Sequence, residues 1–294
     1  ETLQLSATLQ EQEAIDCIVV TSEPTQGDFS KHDLESLPTV SRSIYDIARL
    51  SPYANTQQEG GVSIGGVNSR YNSFYIDGIV NNDMYGLTSS GTNGGLAGAN
   101  PIPLDALDRI QIVTAPFDVR QSGFTGGGIN AVTKSGTNTY KGSAYSYFRN
   151  QDLVGRGAND QAISNQTTQT YGTTFGGPII KDKLFFFVSG EYYDNKTPGT
   201  DYSQSVDGFV TAEQIKELAQ IYEQHTGYTL DDTYKPHIPK FWSANVMTRI
   251  DWNISKDHKL MMRYSFTGAN KDRYTTSASS YYFNNAAFDQ VNRT

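Results

Sequence analysis

From about residue 139 onward, polar and apolar positions alternate with a period of two. Between Trp242 and Trp252, the residues Trp242, Ala244, Val246, Thr248, Ile250 and Trp252 are mostly apolar, and Ser243, Asn245, Met247, Arg249 and Asp251 between them are mostly polar. Successive side chains of a strand leave opposite faces, so this segment has one greasy face and one wet face. The next segment repeats the pattern, with Leu260, Met262, Tyr264, Phe266 and Gly268 against Met261, Arg263, Ser265 and Thr267. Leu184, Phe186, Val188 and Tyr192 give a third case opposite Ser189 and Glu191, with Phe185 and Phe187 diluting its polar face. The two tryptophans bracket one strand. About ten steps of roughly 3.3 Å, tilted by about 40°, rise roughly 25 Å, the height of the apolar band of an outer-membrane barrel between its aromatic girdles. One such strand alone also suits a soluble sandwich.

Connection lengths bear on that choice. Strands near 167–180 and 183–194 are joined by Lys181-Asp182, and those near 241–253 and 259–269 by Ser255-Lys256-Asp257-His258. The connections 150–166, 195–240 and from 270 onward are long and polar. Short turns alternating with long loops are the habit of outer-membrane barrels, whose periplasmic turns are short and extracellular loops long. Within the longest connection, Thr211-Ala212-Glu213-Gln214 has the form of a capping box, and Ile215, Leu218, Ala219 and Tyr222 follow at helical spacing, which predicts a small amphipathic helix.

Ahead of this region the pattern differs. Residues 1–27 are polar apart from Ile18-Val19-Val20 and predict a flexible tether with one short strand. Residues 28–138 predict a compact α+β unit. In it, Ile44, Ile47, Ala48 and Leu50 form one helical face, with Pro52 just beyond. Ser73-Phe74-Tyr75-Ile76 and Ile79-Val80 flank Asp77-Gly78, the signature of a tight hairpin. Residues 81–101 are rich in Gly, Ser and Asn and predict a surface loop too long for a plain connector.

Composition narrows the function. A net charge of −8 with no basic cluster argues against nucleic acid, whose phosphates need a cationic face. Tyr and Phe are plentiful, at 19 and 14, which favours strands. No run of about 18 apolar residues exists, which excludes a spanning helix and leaves a barrel open. The single cysteine, Cys17, forms no internal disulfide. His32, His225, His237 and His258 lack paired spacing, so no metal or other cofactor is expected, and no catalytic constellation appears. Gly126, Gly127 and Gly128 lack the Gly-Lys-Ser/Thr of a phosphate loop; glycine there is expected to allow positive φ and close packing against a barrel wall.

Several ordered motifs resemble the TonB-dependent outer-membrane receptors. Leu37-Pro38 with Ser41-Arg42-Ser43-Ile44-Tyr45-Asp46-Ile47 is similar to the family's early plug helix, and Ile64-Gly65-Gly66-Val67-Asn68-Ser69-Arg70 to its "RG" strand, with Gly65 where arginine is usual. Tyr75-Ile76-Asp77-Gly78 resembles the "IDG" turn, and Leu107-Asp108-Arg109-Ile110-Gln111-Ile112-Val113 the "ERIEV" strand. Gly123 to Lys134 is similar to the glycine-rich ending of the plug. Ala115 to Arg120 and Thr133 to Asn138 look like the Oar-like branch, in which a carboxypeptidase-regulatory-like β domain precedes the plug.

The resemblance implies an α+β plug domain followed by the first strands of an antiparallel transmembrane β-barrel. Family barrels have about 22 strands around a plugged lumen; residues 139–294 hold about six. It divides the chain into 1–27, the tail of an upstream regulatory-like domain with TonB box and tether; 28–138, the plug; and 139–294, the first barrel strands with extracellular loops. It places the TonB box at Asp16, Cys17, Ile18, Val19 and Val20, an extended segment pairing with a TonB-type energy transducer through its backbone. The protein is expected in the outer membrane, its N-terminus periplasmic, in contact with outer-membrane lipids and a surface lipoprotein. Asn81, Asn82, Asp83 and Tyr85 are candidate substrate contacts on the outward face of the plug, and Asp77, Gly78 and Gly126 to Gly128 are its structural turns. The implied activity is plug-gated import of a peptide, glycan or chelate. The alternatives are an assembly platform for lipoproteins or secretion machinery and, more remotely, an enzyme.

Overall fold

The computed structural model describes residues 27–36, 39, 42–56, 61–83, 85, 88, 90–92, 94–114, 123, 125–156, 160, 166–196, 212–229, 239–273 and 288–293. The first unit begins with β1 (Asp28–Ser30) and α1 (Lys31–Ser36), followed by α2 (Ile44–Ala48). A small ladder of β2 (Ala54–Thr56) and β3 (Val62–Ile64) precedes β4 (Ser73–Ile76), β5 (Ile79–Val80), β6 (Leu107–Val113) and β7 (Gly128–Thr133). The larger sheet has the order β1-β6-β7-β4-β5, with β4 and β7 parallel and its other pairs antiparallel.

Local chemistry sets these elements. Ser43 caps α2 by accepting from the Tyr45 N–H, while Asp46 reaches back to the Ser43 N–H. Ile44, Ile47 and Ala48 then enter a core shared with Ile64, Leu107, Ile110 and Ile112. Where the sequence predicts one helix in this unit, the structure adds α1. Only Leu34 of α1 is buried, so its apolar periodicity is invisible, and its start is set by Ser30, whose N–H and Oγ donate to Asp33 and hold that carboxyl below its ordinary pKa. The segment expected as a surface loop is partly interior. Thr88, Thr92, Ala97 and Ala99 are buried, and the two alanines pack on Ala269, with Phe241 alongside.

The second sheet comprises β8 (Lys141–Asn150), with α3 (Gln151–Val154) after it, β9 (Thr167–Ile180), β10 (Leu184–Lys196), then α4 (Ala212–Thr226), β11 (Lys240–Asn253), β12 (Lys259–Arg273) and β13 (Phe288–Arg293). Its strands follow chain order and pair antiparallel throughout. Turns at residues 181–183 and 254–258 lie at one end, and the long connections leave from the other.

The faces of this sheet decide its environment. Its polar face is buried against the first unit: Thr170, Thr174, Ser189, Ser243, Asn245 and Thr267 are all covered. Its apolar face is bare, and Trp242 and Trp252 stand 38% and 45% exposed rather than in a closed interior. A soluble sandwich does the reverse, so the alternation suits a wall with hydrocarbon outside and a polar lumen inside. Apolar side chains interrupt the polar face. Phe187 and Met247, 5% and 2% exposed, join the core of the first unit.

Truncating Phe187 to Ala removes a keystone between the two units, at a cost of about 3 kcal/mol. Amide hydrogen exchange should show protection of β6 and β7 falling roughly 100-fold while β11 and β12 stay protected. Unchanged protection in β6 and β7 would show that the packing does not couple the units.

Candidate functional site at the junction of the two units

The turn between β4 and β5 places a carboxylate at its tip. Asp77 and Gly78 have φ of 50° and 78°. Positive φ at both central residues defines the tight hairpin turn whose twist matches its strands, and glycine and aspartate accept it at low cost. Asp77 thereby projects toward β11 and β12 and is buried, its side chain 5% exposed.

Four donors converge on it. The Thr133 N–H donates to Oδ1 at 2.8 Å and the Thr133 hydroxyl to Oδ2 at 2.8 Å. Arg249 Nη1 lies 3.3 Å from Oδ1, and Arg263 Nη1 2.8 Å from Oδ2. Arg249 also donates to the Thr133 carbonyl and hydroxyl at 3.0 and 2.9 Å, and its Nε and Nη2 hold Asp251 at 2.8 and 2.9 Å. Arg249 and Arg263 face each other across β11 and β12 in direct register. Like charges so placed repel, and both guanidiniums are largely buried, 15% and 9% exposed. Asp77 and Asp251 bring the formal charge of the cluster to zero, the condition for keeping it out of water.

A second junction lies on β8. Arg42, itself at φ 49°, pairs with Asp105, donates to the Tyr147 hydroxyl at 3.0 Å, and lies 4.4 Å from the Tyr147 ring centre and 5.3 Å from that of Tyr145. Tyr145 crosses β9 to donate to Glu191 on β10 at 2.8 Å. It can do so because Gly172 stands opposite it in register, where any Cβ would collide with the phenol ring.

Comparison with known proteins places these two units. A family model described as TonB-dependent Receptor Plug Domain matches residues 25–129, and one described as Outer membrane beta barrel domain matches residues 132–240. The chain belongs to the TonB-dependent receptors. It is similar to the TonB-dependent transporter Oar of Myxococcus xanthus, 27% identical over 238 residues that are 74% of this chain and 20% of that protein. It is also similar to the probable TonB-dependent siderophore receptor PirA of Acinetobacter baumannii, 27% identical over 220 residues, 70% of this chain and 26% of that one. The chain thus spans about a fifth to a quarter of these relatives' length. Among solved structures, a mutant ferric enterobactin receptor, PfeA, of Pseudomonas aeruginosa superposes with a TM-score of 0.57 at 16% identity, over 85% of this chain and 33% of that one. The outer membrane transporter YddB of Escherichia coli gives 0.56 at 16%, over 84% and 33%. At these identities the structural likeness shows the fold alone, an α+β plug followed by barrel strands, and the plug and barrel family matches give the outer membrane as the location.

Asp77 and Gly78 form the turn at the junction. Gly126, Gly127 and Gly128 differ from expectation in that none has positive φ, and the space beside Gly126 and Gly127 is filled by the plug rather than by the wall. A Cβ at Gly127 would strike Ile64, and one at Gly126 would strike the Asn72 side chain, so these glycines serve close packing within the plug. Asn82 and Asp83 are committed to the plug's own backbone: Asn82 accepts from the Phe74 N–H at 2.7 Å and donates to the Ser73 hydroxyl at 2.9 Å, while Asp83 accepts from the Tyr85 and Thr88 N–H groups. Asn81 continues from β5, its N–H donating to the Phe74 carbonyl, and Tyr85 is the most exposed large hydrophobic side chain among the described residues of the plug. Asp16, Cys17, Ile18, Val19 and Val20 lie outside the described residues, as does Thr211 of the capping box. Arg249, Arg263, Arg42 and Asp105 were missed. The signal for the first pair was two cations on the wet faces of neighbouring strands at positions that fall opposite once the turn length is counted.

Removing Asp77 leaves two buried guanidiniums with one carboxylate, Asp251, which is bonded to Arg249, so Arg263 is stranded. Asp77→Ala should lower the stability of plug docking by about 3–5 kcal/mol in urea titrations. A double-mutant cycle of Asp77→Ala with Arg263→Ala should return a coupling of about 1–3 kcal/mol, and additivity would show that the pair does not interact.

Proposed function

We propose that this protein carries out TonB-dependent active transport of a ligand, a peptide, glycan or chelate, across the Gram-negative outer membrane, with the plug as its gate. The observation that carries the reading is the sheet whose apolar face is bare and whose polar face is stopped by a plug held through a neutral buried ion cluster. Residues 28–138 serve as the stopper, 139–294 as the start of its wall, and 1–27 as the tether. Ligand enters from the end where the long connections leave. There, a cavity of about 230 Å³ opens between plug and wall, lined by Ser43, Asp46, Ser90, Glu191, Tyr193 and Phe241 among others. Exposed Tyr85 adds an aromatic contact on the plug, whereas Asn81, Asn82 and Asp83 shape the loop that carries it.

Energy enters through the box at Asp16, Cys17, Ile18, Val19 and Val20, which pairs as an added strand with a TonB-type transducer. The tether feeds into β1, an edge strand joined to β6 by the pairs Asp28↔Gln111, Phe29↔Ile110 and Ser30↔Arg109. Tension on the tether therefore loads a short ladder first and the Asp77 cluster later. A platform role with surface lipoproteins or secretion machinery is favoured by one feature, the uncovered Leu218, Ile221 and Tyr222 of α4.

Deleting residues 16–21 should abolish capture of the purified protein by the transducer's C-terminal domain and leave the melting of the plug unchanged. Retained capture would remove the box from the mechanism. Under the platform reading, a lipoprotein should copurify stoichiometrically and be lost on Leu218→Ser/Ile221→Ser, with the deletion having no effect on it.

A further inference from the structure

The Asp77 cluster can be viewed from the side of the wall. What β11 and β12 present to the lumen is two guanidiniums in direct register, with the Thr133 N–H and hydroxyl aimed at the same point. That is a complete cradle for an oxyanion, made of two cationic donors and two neutral ones, and guanidinium forks suit carboxylate and phosphate above other anions. Asp251 neutralises only one arginine, since its bonds come from Arg249 alone. Arg263 has Asp77 as its sole anionic partner among the described residues.

A second observation, independent of the cluster, gives the cradle an approach. A cavity of about 400 Å³ abuts Thr133 and Arg249 between plug and wall. Apart from Arg249 of the cradle itself, its charged lining is Lys31, Lys134 and Lys141 against Glu35 and Asp108, one positive charge in excess. Glu35 already answers Lys134 and Lys31, at 3.5 and 3.9 Å. No ion pair of Lys141 is found among the described residues. A cationic vestibule of this kind concentrates small anions at the mouth of the cradle.

We propose that Arg249, Arg263 and Thr133 form an anion-binding site for a carboxylate or phosphate group, and that Asp77 is its resident internal ligand. In the closed state the plug's own carboxylate fills the site. A mobile anion reaching it through the lysine-lined cavity competes with Asp77, and the arginines change partner without being left bare. This lowers the cost of breaking the latch, because the large penalty attaches to buried charges left uncompensated rather than to exchange of one anion for another. Asp77 holds the advantage of being tethered, so competition in the intact protein needs a high anion concentration or a strained plug. The inference rests on the gating reading for its purpose, but the binding site stands or falls separately.

Chemical rescue tests it. The intact protein in detergent, carrying Asp77→Ala, is titrated with sodium acetate or inorganic phosphate against sodium chloride at matched ionic strength, and the melting of the plug is followed calorimetrically. Acetate should raise the melting temperature back toward that of the unaltered protein, at a concentration about tenfold below any needed to affect the latter. Adding Arg263→Gln should abolish the rise. Equal effects of acetate, phosphate and chloride would overturn the proposal, as would a rise that survives Arg249→Gln and Arg263→Gln together. If Asp77→Ala does not fold, the isosteric Asp77→Asn is titrated in the same way, with the same criteria. Loss of transducer capture on deleting residues 16–21 is unaffected by either outcome, so failure of the anion site and failure of the transport reading are told apart.

Discussion

Two arginines opposite each other on neighbouring strands constrain everything else at this junction. Arg249 and Arg263 cannot remain buried and adjacent unless a carboxylate stands between them, and among the described residues the wall supplies only Asp251, which is taken by Arg249. The missing charge has to come from the plug. That demand fixes where the β4–β5 turn must sit and why a hairpin with two positive-φ residues is used, since only a tight turn carries Asp77 to its tip while its strands stay in the plug sheet. Thr133 at the end of β7 completes the arrangement, and β7 pairs parallel to β4, so both partners of the cluster are held by one sheet. The register of the plug against the wall is thereby specified by charge.

The architecture was legible because it rests on periodicity. Strand limits in the second sheet follow the alternation closely, and the short turns at 181–183 and 254–258 fall where charged dipeptides and tetrapeptides interrupt it. The helix in the long connection and the cap on α2 carry local signatures, which a sequence displays directly. Contacts across the lumen were another matter. Phe187 reads as noise on a polar face until the plug is present, when it becomes the side chain that joins the two cores. Asn82 and Asp83 have the composition of a ligand contact, yet Asn82 bonds the Phe74 N–H and the Ser73 hydroxyl and Asp83 the Tyr85 and Thr88 N–H groups, a use that residue type cannot distinguish from binding. Gly126 and Gly127 likewise call for closeness, but the sequence does not say to what, and the answer is Ile64 and Asn72 of the plug itself.

The character of the interface bears on how the gate can work. A plug fastened by a continuous apolar core would have to lose that core all at once. Here the apolar contact with the wall is concentrated at Phe187 and Met247, with a lesser patch where Ala97 and Ala99 meet Ala269. Around these points the wall face is polar, and Ser189 Oγ and Asn245 Oδ1 find no protein partner among the described residues although both side chains are buried. Buried polar atoms without partners cost free energy in the docked state, so this part of the seam opposes docking and the anchors must outweigh it. Adhesion is therefore discrete, set by the Asp77 cluster, the Arg42 junction and a few apolar contacts, and each can be released in turn.

The two polar anchors differ in what their release leaves behind. Withdrawing Arg42 exposes two tyrosine rings on the wall and takes the guanidinium and its Asp105 partner away together, both on the plug, so no charge is stranded. Withdrawing Asp77 divides an ion cluster between two bodies and leaves Arg263 on the wall without its counter-charge. Cation–π and hydroxyl contacts are worth about 1–2 kcal/mol each, whereas a buried ion pair broken on one side costs about 3–5 kcal/mol. The β8 side of the seam should therefore open before the β11–β12 side. The barrier to full displacement then lies at the one place where the plug's charge is also the wall's, and where a substitute anion, reaching the arginines through the lysine-lined cavity, changes the energetics most.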